Sequence, residues 1–278
     1  MWSIALVING IFNVIFAPFK AMHPAIGLLV ISVITGIVML LIFGKTSNQR
    51  AIRYAKGKLK AHISEIWLFR DDLPQMLIAF FRVLANTGRY FVHSLRPLIF
   101  LMIPVIIIMV MLGVRYQHRP FHPGESALVS VKVDDPSWTH GDAVQLLASP
   151  GLKVASAPLR IPDLREIDWR VEALAPGEHE LTLQTPAGEI TKTILVSEGK
   201  MPLVPIAPGR GQTFSAEFLT FPVEPPLPKN TGIVSLKITG WPTRDLRILG
   251  LKVNWLIAFF VISMVAGFSV KGLFGVEV

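Results

Sequence analysis

The sequence predicts a membrane protein in which three transmembrane helices carry an all-β domain. Apolar runs at residues 24–44, 97–114 and 253–271 are long enough, at about 1.5 Å per helical residue, to cross a hydrocarbon core of about 30 Å. A basic segment separates the first two runs, and short alternating patterns typical of strands fill the interval before the third. Of the 278 residues, 51% are hydrophobic, and the mean hydropathy is +0.53.

Residues 1–20 precede the first span and form an apolar helical pattern with one partly polar side. Ser3, Asn9, Gly10 and Asn13 share that side at 100° per residue, although Trp2 and Leu6 interrupt it, and the pattern suits a helix lying in the membrane interface. The stretch has no basic segment and no small-residue cleavage site of the kind that marks a removable signal peptide. It is also almost long enough to be a fourth span, and both interpretations stay open at this point.

Small residues recur at matching spacings in the first and third predicted spans. Ser32 and Gly36 lie four residues apart in the first span, and Ser263 and Gly267 repeat the spacing in the third. This pattern is typical of helices that approach each other closely in a membrane. We therefore expect Gly36 and Gly267 to serve helix packing and the two spans to pair.

Residues 46–95 are predicted to form a basic helical hairpin, with one helix ending near Arg70 and a second over residues 73–94. Ten Lys or Arg and three acidic residues lie between Lys45 and Arg96, so this loop carries most of the chain's net charge of +8. The positive-inside rule places such a loop in the cytoplasm. The N-terminus and the β domain are then periplasmic, and the C-terminus is cytoplasmic, in a bacterial inner membrane.

The hairpin cations have two interpretations. They form a solvated face attracted to anionic lipid headgroups, or they form a docking site for a ribosome or a nascent chain. The residues concerned are Lys56, Lys58, Lys60, Arg82 and Arg89. A nucleic-acid partner is not predicted, because the basic residues flank membrane spans and lack an interleaved pattern of stacking aromatic residues.

An interfacial helix is followed in this chain by a span, a basic hairpin and a second span, with local motifs such as Ile8-Asn-Gly-Ile-Phe-Asn13 and a Lys-rich helix that ends at Ile63-Ser-Glu-Ile66. This order and these motifs resemble the YidC/Oxa/Alb insertase superfamily. The resemblance covers roughly the first 115 residues and the last 25. It implies a role in inserting or assembling other membrane proteins, without a cofactor. The expected partners are the lipid bilayer and nascent membrane proteins or a ribosome. A weakly polar path for the substrate is then expected at Ser32, Thr35 and Ser263.

Two departures from that superfamily bear on mechanism. Bacterial insertases carry an arginine in the first core span that helps to form a hydrophilic groove, whereas Met39 occupies about that position here. No charged residue lies inside any predicted span, although an intramembrane charge normally marks function. The second departure is the large β insert between the second and third spans. The missing groove arginine favours the rival hypothesis of a structural or accessory subunit of a larger membrane complex, whereas the basic hairpin favours the insertase.

Residues 115–250 are predicted to form an extracytoplasmic immunoglobulin-like β-sandwich. The hairpin within it has a clear inner face, although Lys192 falls among the apolar residues of that face. The Pro-rich stretch 202–228 is expected to lie over the domain or to contact a partner. Seven alternating runs separated by turn signals are predicted as strands, at residues 127–133, 143–148, 152–156, 166–174, 178–185, 189–197 and 232–239.

The sequence contains no motif typical of an enzyme class. It has no cysteine, so disulfides, thiolate metal sites and cysteine nucleophiles are excluded. Asp135, His140 and Asp142 lie close together, but this segment reads first as a loop with Asx turns, and we expect no metal site there. Neither a phosphate-binding glycine loop nor a nucleophile elbow is present. A membrane-anchored enzyme or a carbohydrate-binding module is therefore a third hypothesis without a supporting motif.

Overall fold

The computed structural model describes residues 2–20, 22–47, 49–50, 73–140, 142–199, 202–248 and 250–276, with single positions at 54, 57, 58, 61 and 64. The chain folds into two compact units. Unit 1 comprises residues 1–27 and 110–253, and unit 2 comprises residues 28–109 and 254–278.

Five α-helices have both ends within the described residues, and three segments are long and apolar enough to cross a membrane. Those segments are Trp2–Phe19, Pro24–Thr46 and Pro97–Tyr116, which supports a membrane protein. The predicted C-terminal span is a shorter helix of 16 residues, which the Asn254 side chain caps by accepting from the Leu256 N–H (2.8 Å). The helices are α1 (Trp2–Phe16, continued by a 3₁₀ turn over Ala17–Phe19), α2 (Pro24–Thr46), α3 (Leu73–Tyr116), α4 (Ala216–Thr220) and α5 (Trp255–Val270).

Helix α3 differs from the prediction of two helices over residues 73–94 and 97–114, because it is continuous across the expected break. Pro97 and Pro104 both lie inside this 44-residue helix. A proline removes one intrahelical hydrogen bond at a cost of about 3 kcal/mol, but its fixed φ near −65° is itself helical. Apolar residues on both sides of Pro97 favour one uninterrupted helix, whose membrane-length segment begins at Pro97, and prolines are tolerated inside such segments.

The first helix of the predicted basic hairpin falls mostly outside the described residues. The positions that are described there, from Gln49 to Ser64, are helical. Helix α2 itself extends to Thr46, two residues beyond the predicted end of the first span, where the Thr46 hydroxyl donates to the Ile42 carbonyl oxygen (2.8 Å).

The β domain in unit 1 contains eleven strands among the described residues, and each of the seven predicted runs coincides with one of them. These runs were visible because alternate side chains are buried, as in β1 and β7. The short strands β4, β8, β10 and β11 lack an alternation long enough to detect. The strands are β1 (Ser126–Val133), β2 (Gln145–Ala148), β3 (Leu152–Val154), β4 (Leu159–Ile161), β5 (Glu166–Ala173), β6 (Gly177–Thr185), β7 (Gly188–Val196), β8 (Gly209–Gly211), β9 (Ile233–Thr239), β10 (Arg247–Ile248) and β11 (Leu251–Lys252).

The strands form two antiparallel sheets and a small ribbon. The larger sheet has the order β3-β5-β1-β9-β8, with β4 also paired to β5. The smaller sheet has the order β2-β6-β7, and β10 pairs with β11. Buried residues of both sheets belong to one hydrophobic core, which includes Val129 and Trp169 from the larger sheet and Leu183 and Ile194 from the smaller. This shared core supports the domain without any disulfide.

The inner face predicted for the β6–β7 hairpin is present. Its apolar members Leu181, Leu183, Ile190, Ile194 and Val196 are all buried. Lys192 lies on the same face and is only 1% exposed.

The Pro-rich segment 202–228 lies on the β domain, as one of its two interpretations expected. Leu203 and Ala207 are buried, and Ile206 and Leu227 join the hydrophobic core. The Ile206 N–H also donates to the carbonyl oxygen of Val114 near the end of α3 (2.7 Å). The segment therefore links the β domain to the end of a membrane helix within unit 1.

Strand β7 is an edge strand of the smaller sheet, and neighbouring segments cover this edge. The Phe121 N–H donates to the Leu195 carbonyl oxygen (3.0 Å), and the Ser197 N–H donates to the Phe121 carbonyl oxygen (2.8 Å). Farther along the strand, Arg210 donates from Nη1 to the Thr191 carbonyl oxygen (2.6 Å). Backbone groups that an isolated edge would leave open are thus already paired.

Candidate functional site

Helices α2 and α5 cross at very short range in unit 2. A Cβ atom added at Gly36 would lie 2.1 Å from the carbonyl oxygen of Ser263, and one added at Gly267 would lie 3.2 Å from the carbonyl oxygen of Gly36. Only glycine at position 36 permits this approach of the two backbones. The small residues identified in the sequence thus lie at one helix crossing.

Beside this crossing is a groove of about 320 Å³ formed by α2, α3 and α5. Two of the three residues predicted for a substrate path, Thr35 and Ser263, line it. The third, Ser32, is fully buried and donates from its hydroxyl to the Leu28 carbonyl oxygen (2.6 Å), so it does not line the groove. The remaining lining residues are Gly36, Met39, Leu40, Phe43, Leu101, Val105, Phe259, Phe260, Val261, Met264, Gly267 and Phe268.

The chemistry of this groove is almost entirely apolar. Thr35 is buried, and the Ser263 hydroxyl already donates to the Phe260 carbonyl oxygen of its own helix (3.1 Å). All fourteen lining residues are uncharged. Such a surface can receive an apolar helix or an acyl chain, whereas a charged segment would lose its hydration there.

A charged side chain does lie within a membrane-length helix, at Arg115, which corrects the expectation that every span lacks charge. Helix α3 continues two residues past the predicted end at Val114 and includes Arg115 in the apolar segment. Its guanidinium is fully buried in unit 1 and donates to the Met111 carbonyl oxygen (2.9 Å) and to Asn13 Oδ1 of α1 (2.6 Å). It also lies 4.9 Å from the centre of the Phe16 ring.

The N-terminal helix α1 packs on other parts of unit 1 through Trp2, Asn9 and Asn13. The Trp2 ring lies 6.4 Å from the Phe218 ring of α4, and the buried Asn9 side chain donates to the Pro222 carbonyl oxygen. One turn later, Asn13 Oδ1 accepts a hydrogen bond from Arg115 Nη2. Two residues of the polar side that predicted an amphipathic helix, Asn9 and Asn13, therefore contact protein, whereas Gly10 is exposed.

The opposite side of α1 is an exposed apolar stripe. Ile4, Val7, Ile11 and Val14 are each more than half exposed, and Val14 reaches 75%. Exposed apolar residues at this density are typical of a surface that contacts lipid or another protein. The helix thus packs on the rest of unit 1 through Asn9 and Asn13, and its opposite, apolar side is free to contact a membrane.

Of the five docking cations predicted in the basic hairpin, only Lys58 has a side chain among the described residues. Lys56 and Lys60 lie outside the described residues, and so do the side chains of Arg82 and Arg89 on α3. Lys58 is exposed, with its Nζ 5.0 Å from the centre of the Tyr54 ring. This distance is that of a cation–π contact on a helix surface.

The acidic loop of the β domain holds its side chains in local interactions. Asp135 accepts from the Ser137 N–H (2.9 Å), which lowers the pKa of its carboxyl group. Asp142 pairs with Arg160 (3.1 Å), and His140 lies beside the Thr139 hydroxyl. In the part of the chain that the structure describes, no group of three or more His, Asp or Glu side chains is placed to hold a metal ion.

A buried ion pair joins β7 to the Pro-rich segment. Lys192 donates from Nζ to Glu224 Oε1 (2.6 Å) and to the Ala207 carbonyl oxygen (2.5 Å). Burial lowers the pKa of Lys192, and the adjacent Glu224 carboxylate opposes that shift. The sequence showed a lysine on an apolar face but gave no sign of its partner, which lies 32 residues farther along the chain.

A second ion pair, between Arg119 and Glu125, predicts an acid dependence of stability. Two hydrogen bonds from Arg119 (2.7 and 3.0 Å) hold the pKa of the Glu125 carboxyl group below its usual value. The ionised carboxylate therefore stabilises the fold above its unfolded-state pKa, and this contribution is lost as the pH falls through the lowered pKa. Replacing Glu125 by glutamine should flatten the decline in melting temperature between about pH 5 and pH 3. The exposed Glu178→Gln is the control, and an unchanged acid limb in Glu125→Gln would contradict the prediction.

Comparison of the chain with models of protein families, with curated proteins and with solved structures finds no match.

Proposed function

We propose that this protein assists the insertion or assembly of other membrane proteins, with the groove between α2, α3 and α5 receiving a transmembrane segment of the client. The groove is the observation that carries this proposal. Its apolar lining matches the surface of a transmembrane helix, and Thr35 and Ser263 are its two hydroxyl-bearing residues. The resemblance of the chain to the YidC/Oxa/Alb superfamily supports the same role.

In the proposed mechanism, the protein lowers the free-energy cost of moving a client segment from water into the membrane. A helix that enters hydrocarbon must satisfy its backbone polar groups internally, and polar flanks resist the crossing. A preformed groove offers the entering segment a protein surface on one side while its other sides meet lipid. The basic hairpin would hold the client near the entrance, and this role needs no cofactor or covalent chemistry.

The proposal includes a topology. We propose that the loop after α2 is cytoplasmic and the β domain periplasmic, in a bacterial inner membrane, because the loop is rich in Lys and Arg and the positive-inside rule favours this orientation. We further propose that the two sheets of the β domain form an immunoglobulin-like sandwich, which their shared hydrophobic core supports.

Helix α1 belongs to this proposal as an interfacial helix. By composition alone the segment Trp2–Phe19 is also able to span. Its contacts favour the interface, because Trp2 near one end and Asn13 near the other both contact other parts of unit 1, which also contains the β domain. A crossing helix would carry one of those two residues about 17 Å deeper into the bilayer. The exposed stripe would instead rest in the lipid surface.

The second candidate function is that of an accessory subunit of a larger membrane complex. The uncharged lining of the groove favours it, because that lining lacks the intramembrane charge of bacterial insertases. In this case the groove would hold one permanent partner helix, and the β domain would grip an external part of the same complex.

Site-specific photocrosslinking separates the two functions. A photoreactive amino acid is placed in the groove at Met39 or Met264 and, as matched controls on the same helices outside the groove, at Ile34 or Val265. The expected result is crosslinks from Met39 and Met264 to many different ribosome-bound nascent membrane proteins, at several times the yield of the controls. Crosslinks to a single mature protein would favour the accessory subunit. Equal yields from all four positions would reject the groove as a client site.

A further inference from the structure

The segment 212–222, which follows edge strand β8, presents apolar side chains on the surface of the β domain. Phe214 is 69% exposed, and Leu219 in α4 is 52% exposed. The only charged residue of the segment, Glu217, lies against β8, because a Cβ atom added at Gly209 would lie 3.2 Å from the Glu217 Cγ atom. Every exposed residue of the segment is uncharged.

Phe214 has a backbone conformation that a bulky residue rarely adopts. Its φ is 67°, in the left-handed region, within a turn that the Ser215 N–H closes on the Gln212 carbonyl oxygen (3.0 Å). Glycine or asparagine normally occupies such a position, since a larger side chain crowds the backbone there. The chain therefore accepts backbone strain to hold a phenyl ring at the surface, and strain of this kind is typical of functional sites.

Helix α1 connects this segment to a second exposed apolar surface. The Trp2 ring of α1 lies 6.4 Å from the Phe218 ring of α4. Two residues after Trp2, the exposed Ile4 begins the apolar stripe of α1. On the other side of the contact, Phe214 and Leu219 lie four residues and one residue from Phe218 in the chain. Exposed apolar residues of both segments therefore flank this contact between α1 and α4.

We infer that the segment 212–222 is a membrane contact of the β domain, with Phe214 and Leu219 inserted between the lipid headgroups. This inference rests on the interfacial position proposed for α1. An exposed surface of aromatic and aliphatic residues without charge suits the lipid boundary, because no charge loses its hydration there. The β8 edge of the larger sheet then lies at the membrane. Strand β4 lies four strand spacings of about 4.8 Å from β8 in the same sheet and stays outside the lipid.

The test uses the full-length chain in lipid nanodiscs and measures the quenching of a fluorophore by brominated acyl chains. The chain has no cysteine, so a bimane label can be attached to one introduced cysteine at a time. Labels at Leu219→Cys and, on α1, at Val7→Cys should be quenched several-fold more strongly than a label at Leu159→Cys, a comparably exposed position of β4. Quenching at Val7 without quenching at Leu219 would overturn this inference and leave α1 in the interface. Quenching at neither position would overturn the interfacial position of α1 as well.

The variant Phe214→Gly separates the membrane contact from folding. Glycine adopts a φ of 67° without strain, so the melting temperature in mild detergent should equal or exceed that of the parent chain. The same variant should reduce the lipid quenching of the label at Leu219 at least about twofold, because the apolar ring is lost. Phe214→Trp keeps an aromatic ring suited to the interface and should retain the quenching. A melting temperature more than about 5 °C lower in Phe214→Gly would assign the ring to the fold and overturn the inference, as would unchanged quenching.

Discussion

Replacing Glu224 by alanine should destabilise the β domain by about 3–5 kcal/mol, since removal of one partner leaves the other charge buried and uncompensated. Lys192 is 1% exposed, and among the residues that the structure describes its Nζ would retain only the Ala207 carbonyl oxygen. Denaturant unfolding of the full chain in detergent, followed by tryptophan fluorescence, measures the loss. The tryptophans at 138, 169 and 241 report on this domain.

Two further variants show whether this loss comes from the buried charge. Glu180→Gln, at an exposed position of β6, should stay within about 0.5 kcal/mol of the parent chain. The double variant Lys192→Met with Glu224→Leu removes both charges and should recover most of the stability. If the double variant is as unstable as Glu224→Ala alone, the buried charge is not the cause of the loss.

Replacing Gly36 by alanine should separate α2 from α5 and destabilise unit 2 by about 3 kcal/mol. The new methyl carbon would lie 2.1 Å from the Ser263 carbonyl oxygen, a backbone atom that no side-chain rotation can move away. Thermal unfolding of the full chain in mild detergent, followed by helical circular dichroism, measures the effect.

Gly88 provides the matched control, because it lies inside α3 in the same unit with no heavy atom within 4 Å of an added Cβ. Alanine at this exposed helical position should stabilise by about 0.5–1 kcal/mol, through its higher helix propensity. The two Gly→Ala substitutions are thus expected to have opposite signs. A melting temperature for Gly36→Ala equal to that of the parent chain would contradict the close crossing.

The elements that could be predicted from the sequence are those with a long, regular pattern. Apolar runs revealed α2 and the apolar half of α3, and period-two alternation revealed seven strands, because both depend only on neighbouring residues. The three-residue strand β8 has the sequence Gly-Arg-Gly, which carries no such pattern, and it exists only because β9 pairs with it. Tertiary pairing of this kind cannot be read from local sequence.

The sequence also predicted part of the candidate site. Small residues at spacing four identified Gly36 and Gly267, and the crossing places them together. Ser32 was expected on the same polar path, but its hydroxyl is bound to its own helix. Arg115 was missed because it follows the last apolar residue of its run, and a cation at that point normally marks the end of a span. Its partner Asn13 lies 102 residues away.

The covered edge of β7 has a consequence for how copies of this protein coexist in a membrane. Confinement to two dimensions brings identical domains into frequent collision, and an open strand edge would template sheet-to-sheet aggregation. Because Phe121 and Arg210 already occupy backbone groups along β7, a second copy would have to displace them before it could add a strand. The same contacts that complete the fold thus protect a crowded population from polymerising through this edge.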